Sequence, residues 1–453
     1  MAEQGPSQEL WKSREAFLEV FFYGVSQFMF DQAKELVDKE KEATKFPASI
    51  WLQLCSVLTD LVSAEKLYSS LTYIERRLLR RDLVRPLYDK LQTDLKRLEL
   101  TGEASLQENS DITEAMASDL AKQLSQFISA RKEMIDFYIK MAKNRWENKE
   151  SEDQLVKLID NIIERHNNEF HHPILDSLKT GFSFEAEIVQ CLCKAEVKMQ
   201  QWDFFSSLLL LYQCQTDLNS WTQLVVPGTV REIAAQTTAK SPASMIASRK
   251  SWHAPTLYRW LYQVQLAAIS KFSLYFHSTL SSQTNQAEMK LLTAKTTVDY
   301  FAKITTFIRK SEAFNVSLIL DTTTMDHVAP GHGYFLPNIE HERRTGKDTY
   351  PAIVSLLEPQ PTSHWPNVIS ILIDRAADLA HPGRIVYYFD DKVGSTYYII
   401  KVDVRVFLLV IFNVKKKERD SHISKFMTET RSLLTYERNY QMLKPRQVQK
   451  FRN

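Results

Sequence analysis

From Leu10 to about Leu224 the apolar positions recur at intervals of three and four, as in Leu18, Phe21, Phe22, Val25, Met29, Ala33 and Leu36, and again in Leu120, Leu124, Phe127, Ile128, Ile135 and Tyr138. That spacing lines up one side of an α-helix. Residues 8–225 are therefore expected to fold as an all-α helical bundle, mostly antiparallel, because periodic segments joined by short polar loops have few other ways to bury their stripes. The polar segment Thr101–Ser110, with Gly102, predicts an exposed loop ahead of two helices over roughly residues 112–147 and 152–167. Between Pro227 and Ala254 the period fades into Thr, Ala, Ser and Lys, so residues 226–254 are expected to form a linker or mobile loop. Two long helices are predicted next. One carries Leu257, Trp260, Leu261, Val264, Ala268 and Phe272 and supplies a connecting helix over residues 255–287; the other carries Leu291, Ala294, Val298, Phe301, Ile304 and Ile308.

After Asn315 the pattern shortens to apolar runs bounded by turn residues: Val316–Leu320, Ala352–Leu357, Ile385–Phe389, Tyr397–Val402 and Val406–Phe412. These predict five strands. Glycine usage shifts in step, with five of the ten glycines lying from Gly331 onward. Asp390-Asp391-Lys392-Val393-Gly394 predicts a hairpin turn, Pro366 and Pro382-Gly383 bracket a helix, and a last amphipathic helix is expected from about Ser421 to Met442. The fold class is α+β, a helical bundle followed by an α/β domain over residues 288–443 and a basic tail, 444–453. The order helix, two strands, helix, three strands, helix resembles the roadblock and longin group, whose members serve as dimerisation platforms. One departure is the long insertion from Asp321 to Tyr350. Val406–Phe412 is apolar at every position and is expected inside the sheet, covered on both faces.

Composition narrows the function classes. At 453 residues with 44% hydrophobic and 25% charged residues, the chain is long enough for two or three domains and a large core. Lys plus Arg number 57 against 55 Asp plus Glu, which leaves no basic field to drive binding of nucleic acid. The N-terminal Met1-Ala2-Glu3-Gln4-Gly5 lacks the pattern of a signal peptide, and the longest apolar runs fall short of a bilayer span, so an intracellular protein is expected. The four cysteines, Cys55, Cys191, Cys193 and Cys214, are too few for a disulfide framework and read as reduced core residues.

Candidate chemistry is sparse. Neither GxxxxGK[ST] nor GxGxxG occurs, and Gly346-Lys347 is followed by Asp348, so a phosphate-cradling glycine loop is not expected. Asp321-Thr322-Thr323 at a strand end is the one place where a carboxylate nucleophile for phosphotransfer suggests itself, although strand ends commonly carry Asp and Thr as turn formers. His166, Glu169, His171 and His172 are close in sequence, yet His166 and His171 lie roughly 140° apart around a helix, and a solvated helix C-terminus is the plainer expectation. His327, His332 and His341 fall in the long insertion. No GxSxG elbow is present, and the thiols of Cys191 and Cys193, two apart on a helix, face different sides. No catalytic residue, cofactor or metal is assigned, and the weight moves to protein binding. A small-molecule pocket between the helical and α/β parts is the alternative of another class.

The candidate partner-binding residues are basic: Arg76, Arg77, Arg80 and Arg81 on one helix, Lys415, Lys416 and Lys417 after the last strand, and Lys444 and Arg446 in the tail. Charge of this kind suits an acidic partner or an anionic surface. The phrases Trp11-Lys12-Ser13-Arg14-Glu15-Ala16-Phe17, His171-His172-Pro173-Ile174-Leu175 and Tyr387-Tyr388-Phe389-Asp390-Asp391-Lys392 resemble the second-subunit family of the KICSTOR complex, along the whole chain. The resemblance implies a four-part lysosomal assembly with kaptin, an integrin-alpha FG-GAP-repeat protein and a very large seizure-threshold protein. It further implies recruitment of the GATOR GTPase-activating complex and restraint of target-of-rapamycin signalling when amino acids or glucose are scarce. Attachment to the lysosomal membrane would then run only through partners, and the family has no catalytic motif to carry over.

Overall fold

The apolar stripes resolve into helices that pair in sequence order. The computed structural model describes residues 6–44, 50–74, 83–106, 112–147, 152–225, 254–281, 286–325, 346–357 and 360–441. Its first part holds α1 (Pro6–Ser26), α2 (Phe30–Ala43), α3 (Ile50–Ser69), α4 (Val84–Leu106), α5 (Ile112–Glu147), α6 (Glu152–His166), α7 (Asp176–Gln200) and α8 (Phe204–Val225). No strand occurs among the described residues of this part. Side-chain pairs fix the direction of packing. Between α4 and α5, Arg85 meets Asp136, Asp89 meets Lys132, Gln92 meets Ser129 and the Glu99 carbonyl accepts from Ser118, so one helix runs down as the other runs up. At 36 residues α5 is about 54 Å long and forms the spine of the bundle. Residues 101–106 extend α4 rather than open a loop, since Ala, Leu and Glu outweigh the single Gly102 there.

Helix α9 (Thr256–Tyr275) is buried along most of its length and packs against α3, α7 and α8 on one side and against the C-terminal part on the other. It ends sooner than the sequence period suggests. Phe276 precedes a separate short turn, α10 (His277–Leu280), and packs against Trp202 with ring centroids 4.8 Å apart and planes inclined at 44°.

The next predicted helix is two, α11 (Gln286–Thr293) and α12 (Tyr300–Ser311). Asp299 decides the break: its carboxylate accepts from the Ala302 amide at 2.9 Å, capping α12, and from the Thr293 hydroxyl at 3.1 Å. Leu291, expected in the core, is consequently exposed.

Five strands follow: β1 (Asn315–Leu320), β2 (Ala352–Leu356), β3 (Ile385–Asp390), β4 (Ser395–Lys401) and β5 (Val406–Phe412). They form one antiparallel sheet in the order β2-β1-β5-β4-β3. As the unbroken apolar run requires, β5 is central, and all seven of its residues are buried. Val406, Leu408, Val410 and Phe412 join the core shared with the helices. Phe407, Leu409 and Ile411 face α13 (Trp365–Asp374), which lays Trp365, Val368, Ile371 and Leu372 on the opposite face. A short α14 (Ala376–Leu379) follows α13. The C-terminal helix is also split, into α15 (Ser421–Leu434) and α16 (Glu437–Gln441), with Tyr436 at φ 58° turning the chain between them. One continuous cluster of buried residues runs from Leu18 through α9 to Leu408 and Tyr440, so the bundle and this face of the sheet share a core.

Candidate functional site

The residues singled out from sequence are scattered. Arg76, Arg77, Arg80, Arg81, Lys444 and Arg446 lie outside the described residues, as do His327, His332 and His341 and residues 226–253 of the expected linker. Lys415, Lys416 and Lys417 sit on the connection from β5 to α15, where the backbone is held: Tyr387 donates to the Lys416 carbonyl at 3.0 Å and Tyr398 to the Lys417 carbonyl at 2.6 Å. Lys415 and Lys417 are exposed, although the Lys415 ammonium lies over the Phe389 ring, 4.5 Å from its centre, as the half-buried Lys416 ammonium lies over the Phe412 ring at 4.9 Å. The loop presents two lysines on a fixed frame.

The strand-end Asp321 is engaged by its own turn. Its Oδ1 accepts from the Thr323 amide at 2.9 Å and the Thr323 hydroxyl at 2.6 Å, the local bonding that makes Asp a turn former. Among the described residues no three His, Cys, Asp or Glu side chains are grouped so as to hold a metal ion. His166 departs from its expected solvated position. Only 2% of it is exposed, its Nδ1 is paired with Glu169 and its Nε2 lies 3.4 Å from Glu133 Oε1. The helix C-terminus turns inward there because Phe170 packs against Phe127 and Phe182. The cysteines are free and buried; burial pushes the Cys55 and Cys191 thiols up to about 12, with Glu40 and Asp217 respectively adding to the effect.

Two buried charge clusters were not foreseen. In the bundle, the Arg131 guanidinium donates to Glu185 Oε2 at 2.6 Å and lies 3.0 Å from Glu65 Oε2, while Tyr88 donates to Glu65 and Tyr68 and Tyr138 donate to Glu185. This ties α3, α4, α5 and α7 together around one cation and two carboxylates. Burial raises the Glu65 pKa, with the Arg131 charge and the Tyr88 hydroxyl acting against it. At the junction, Lys271 on α9 reaches Glu196 of α7 at 2.8 Å and Asp403, in the β4–β5 turn, at 2.6 Å. It is fully buried, 5.4 Å from the Tyr275 ring centre and 5.2 Å from that of Tyr436. Burial alone would lower the Lys271 pKa, but the two carboxylates outweigh it and the pKa is raised. Both clusters had a sequence signal: Glu65, Arg131, Glu185, Glu196 and Lys271 all fall on the apolar phase of their helices, where a charge needs a partner.

Beside Lys271 lies a cavity of about 30 Å³ lined by Met141, Val189, Glu196, Trp260, Tyr436 and Tyr440. It is room for a water or two, far below the few hundred Å³ of a small-molecule site.

The geometry thus describes a helical bundle keyed to an antiparallel sheet by a buried ion cluster. The family described as "KICSTOR complex C12orf66 like" matches residues 9–448. Relatives named "KICSTOR subunit 2" are 37% identical in Xenopus laevis over 434 residues, 94% of this chain and 96% of the relative, and 36% identical in Danio rerio over 437 residues, 95% of each. The chain belongs to the KICSTOR subunit 2 family.

Proposed function

We propose that the chain is a non-catalytic scaffold subunit of KICSTOR that helps recruit the GATOR complex to lysosomes and so restrains target-of-rapamycin signalling during amino acid or glucose deprivation. Family membership across residues 9–448 carries this reading. Its partners in the assembly are kaptin, the integrin-alpha FG-GAP-repeat protein and the large seizure-threshold protein. The shared core and the Lys271 junction support a scaffold role, because they hold the bundle and the sheet in one fixed relation on which partner surfaces can be presented. The strand order β2-β1-β5-β4-β3, with helices before β1, between β2 and β3, and after β5, supports reading residues 288–443 as a roadblock/longin-like domain, and the run of helices without a strand among the described residues supports reading residues 8–225 as a helical bundle packed against it. Among the described residues no helix is long and apolar enough to cross a membrane, in keeping with attachment through partners.

The test is affinity purification of the tagged chain from cells lacking the endogenous copy, with and without amino acids. All three partners should co-purify, and lysosomal GATOR should fall when the chain is absent. Normal GATOR recruitment without it contradicts the proposal.

A further inference from the structure

Helix α8 presents two faces of different character. Ser207, Leu211, Cys214, Leu218 and Trp221 are buried against the body of the bundle. On the outer side Phe205, Leu208, Leu209 and Tyr212 are 61%, 38%, 51% and 71% exposed. Their spacing of three, four and seven places them on one stripe, two turns long, of the kind that anchors helix-to-helix recognition. The single charged residue in the 22 of α8 is Asp217, which is turned inward and accepts from Gln213. Along the helix the stripe is flanked by uncharged residues, exposed Gln213 and Thr216 among them, and the nearest charge in sequence, Asp203 ahead of the helix, accepts from the Ser206 amide at 3.0 Å and lies 3.9 Å from Lys198. Charge depletion around aromatic and aliphatic side chains is what separates an interface core from ordinary surface.

The size of the stripe selects the occupant. With about 200 Å² for each large apolar side chain, these exposures leave roughly 400 Å² of apolar surface, well within the range of functional patches but about half of what each partner contributes to a stable globular interface. A second copy docked on this face alone would fall short. We infer that the Phe205–Tyr212 face of α8 is the docking surface for one amphipathic helix of another KICSTOR subunit, a helix whose contact face is apolar and uncharged at i, i+3, i+4 and i+7. This rests on the complex membership proposed above.

The experiment compares the full-length chain, free and within the purified complex. Amide hydrogen exchange in 205–212 should slow at least tenfold on assembly. The double substitution Leu209→Gln and Tyr212→Gln changes side chains that are 51% and 71% exposed, so its melting temperature should stay within a few degrees of the wild type while recovery of one partner subunit drops at least fivefold. Unchanged exchange with full assembly of the double variant overturns the inference and leaves complex membership standing; failure of the wild-type chain to assemble overturns both. Light scattering that shows a dimer of the free chain, lost in the double variant, makes the occupant a second copy and overturns it too. So does faster exchange in 205–212 of the free chain upon deletion of residues 226–253, which makes the occupant part of the chain itself.

Discussion

Replacing Lys271 by Met tests the junction between bundle and sheet. The substitution keeps the length of the apolar stem but removes the cation that faces Glu196 at 2.8 Å and Asp403 at 2.6 Å, and it leaves two carboxylates in a site where Lys271 itself is fully buried. Breaking a buried pair by deleting one partner costs about 3–5 kcal/mol, because the remaining charge is neither solvated nor compensated. Set against a total stability of about 5–15 kcal/mol, this is a large fraction. Two carboxylates are stranded here, which puts the expected loss at the upper end of that range. The triple variant Lys271→Met, Glu196→Gln and Asp403→Asn removes the stranded charge and should recover at least half of the loss. Urea unfolding of the full-length chain, followed by circular dichroism and by tryptophan fluorescence, reads both variants. If Lys271→Met lies within about 0.5 kcal/mol of wild type, the size of an ordinary surface substitution, the cluster does not hold the junction and the reasoning fails.

In the bundle, Arg131→Met should destabilise by a similar amount, and the deficit should depend on pH. Burial raises the Glu65 pKa in the folded protein, and loss of the opposing guanidinium raises it further; stability tied to a raised carboxylate is present below its ordinary value of 4.5 and is lost as pH rises through the folded value. The Arg131→Met deficit should therefore be smaller at pH 5 than at pH 8, and a deficit that grows on acidification contradicts the assignment. For the cysteines, a thiol-exchange reagent at pH 8 should leave Cys55 and Cys191 unmodified in the native chain and modify both after denaturation, since thiolate is scarce when the pKa is pushed to about 12. Modification of either at the rate of a free thiol in the folded state would show that its helix opens readily.

How much of this was legible beforehand follows from which force set each feature. The helical character of the described residues in 8–225 and the central place of Val406–Phe412 were readable because burial alone dictates a period of three to four or an unbroken apolar strand; the break between α1 and α2 at Phe28, φ 59°, was not, since Leu18 to Leu36 keeps the helical period across it. Helix ends were not, where capping chemistry overrode the period: the Asp299 carboxylate cut one expected helix into α11 and α12, and the left-handed backbone at Tyr436 cut another. His166 was misplaced for a different reason. Its position at a helix end suggests solvent, while the rings of Phe127, Phe170 and Phe182 draw the following turn into the core. The charge clusters combine residues more than 50 positions apart, Lys271 with Glu196 and Asp403, Arg131 with Glu65 and Glu185; the sequence marks each as a charge on an apolar stripe but cannot say which meets which. The α8 stripe is the converse. Phe204–Tyr212 is the most apolar run of the first half, and only the packing of α8 separates the buried residues from those left outside.

The proposed scaffold needs no chemistry of its own, and two substitutions, one inside the sheet and one at a strand end, separate it from a phosphotransfer enzyme. Leu409 is fully buried in β5 facing α13, so Leu409→Asp places an unpaired carboxylate in the core at a cost of several kcal/mol, enough to unmake the sheet. Asp321→Asn keeps the shape of the turn and removes the charge a phosphotransfer nucleophile would need. Both variants would be expressed in cells lacking the endogenous protein, and recovery of the three partner subunits measured beside the response of target-of-rapamycin signalling to amino acid withdrawal. Leu409→Asp should lose the partners and the response together, while Asp321→Asn should keep both. Full assembly of Leu409→Asp, or normal assembly of Asp321→Asn with the starvation response gone, contradicts the account.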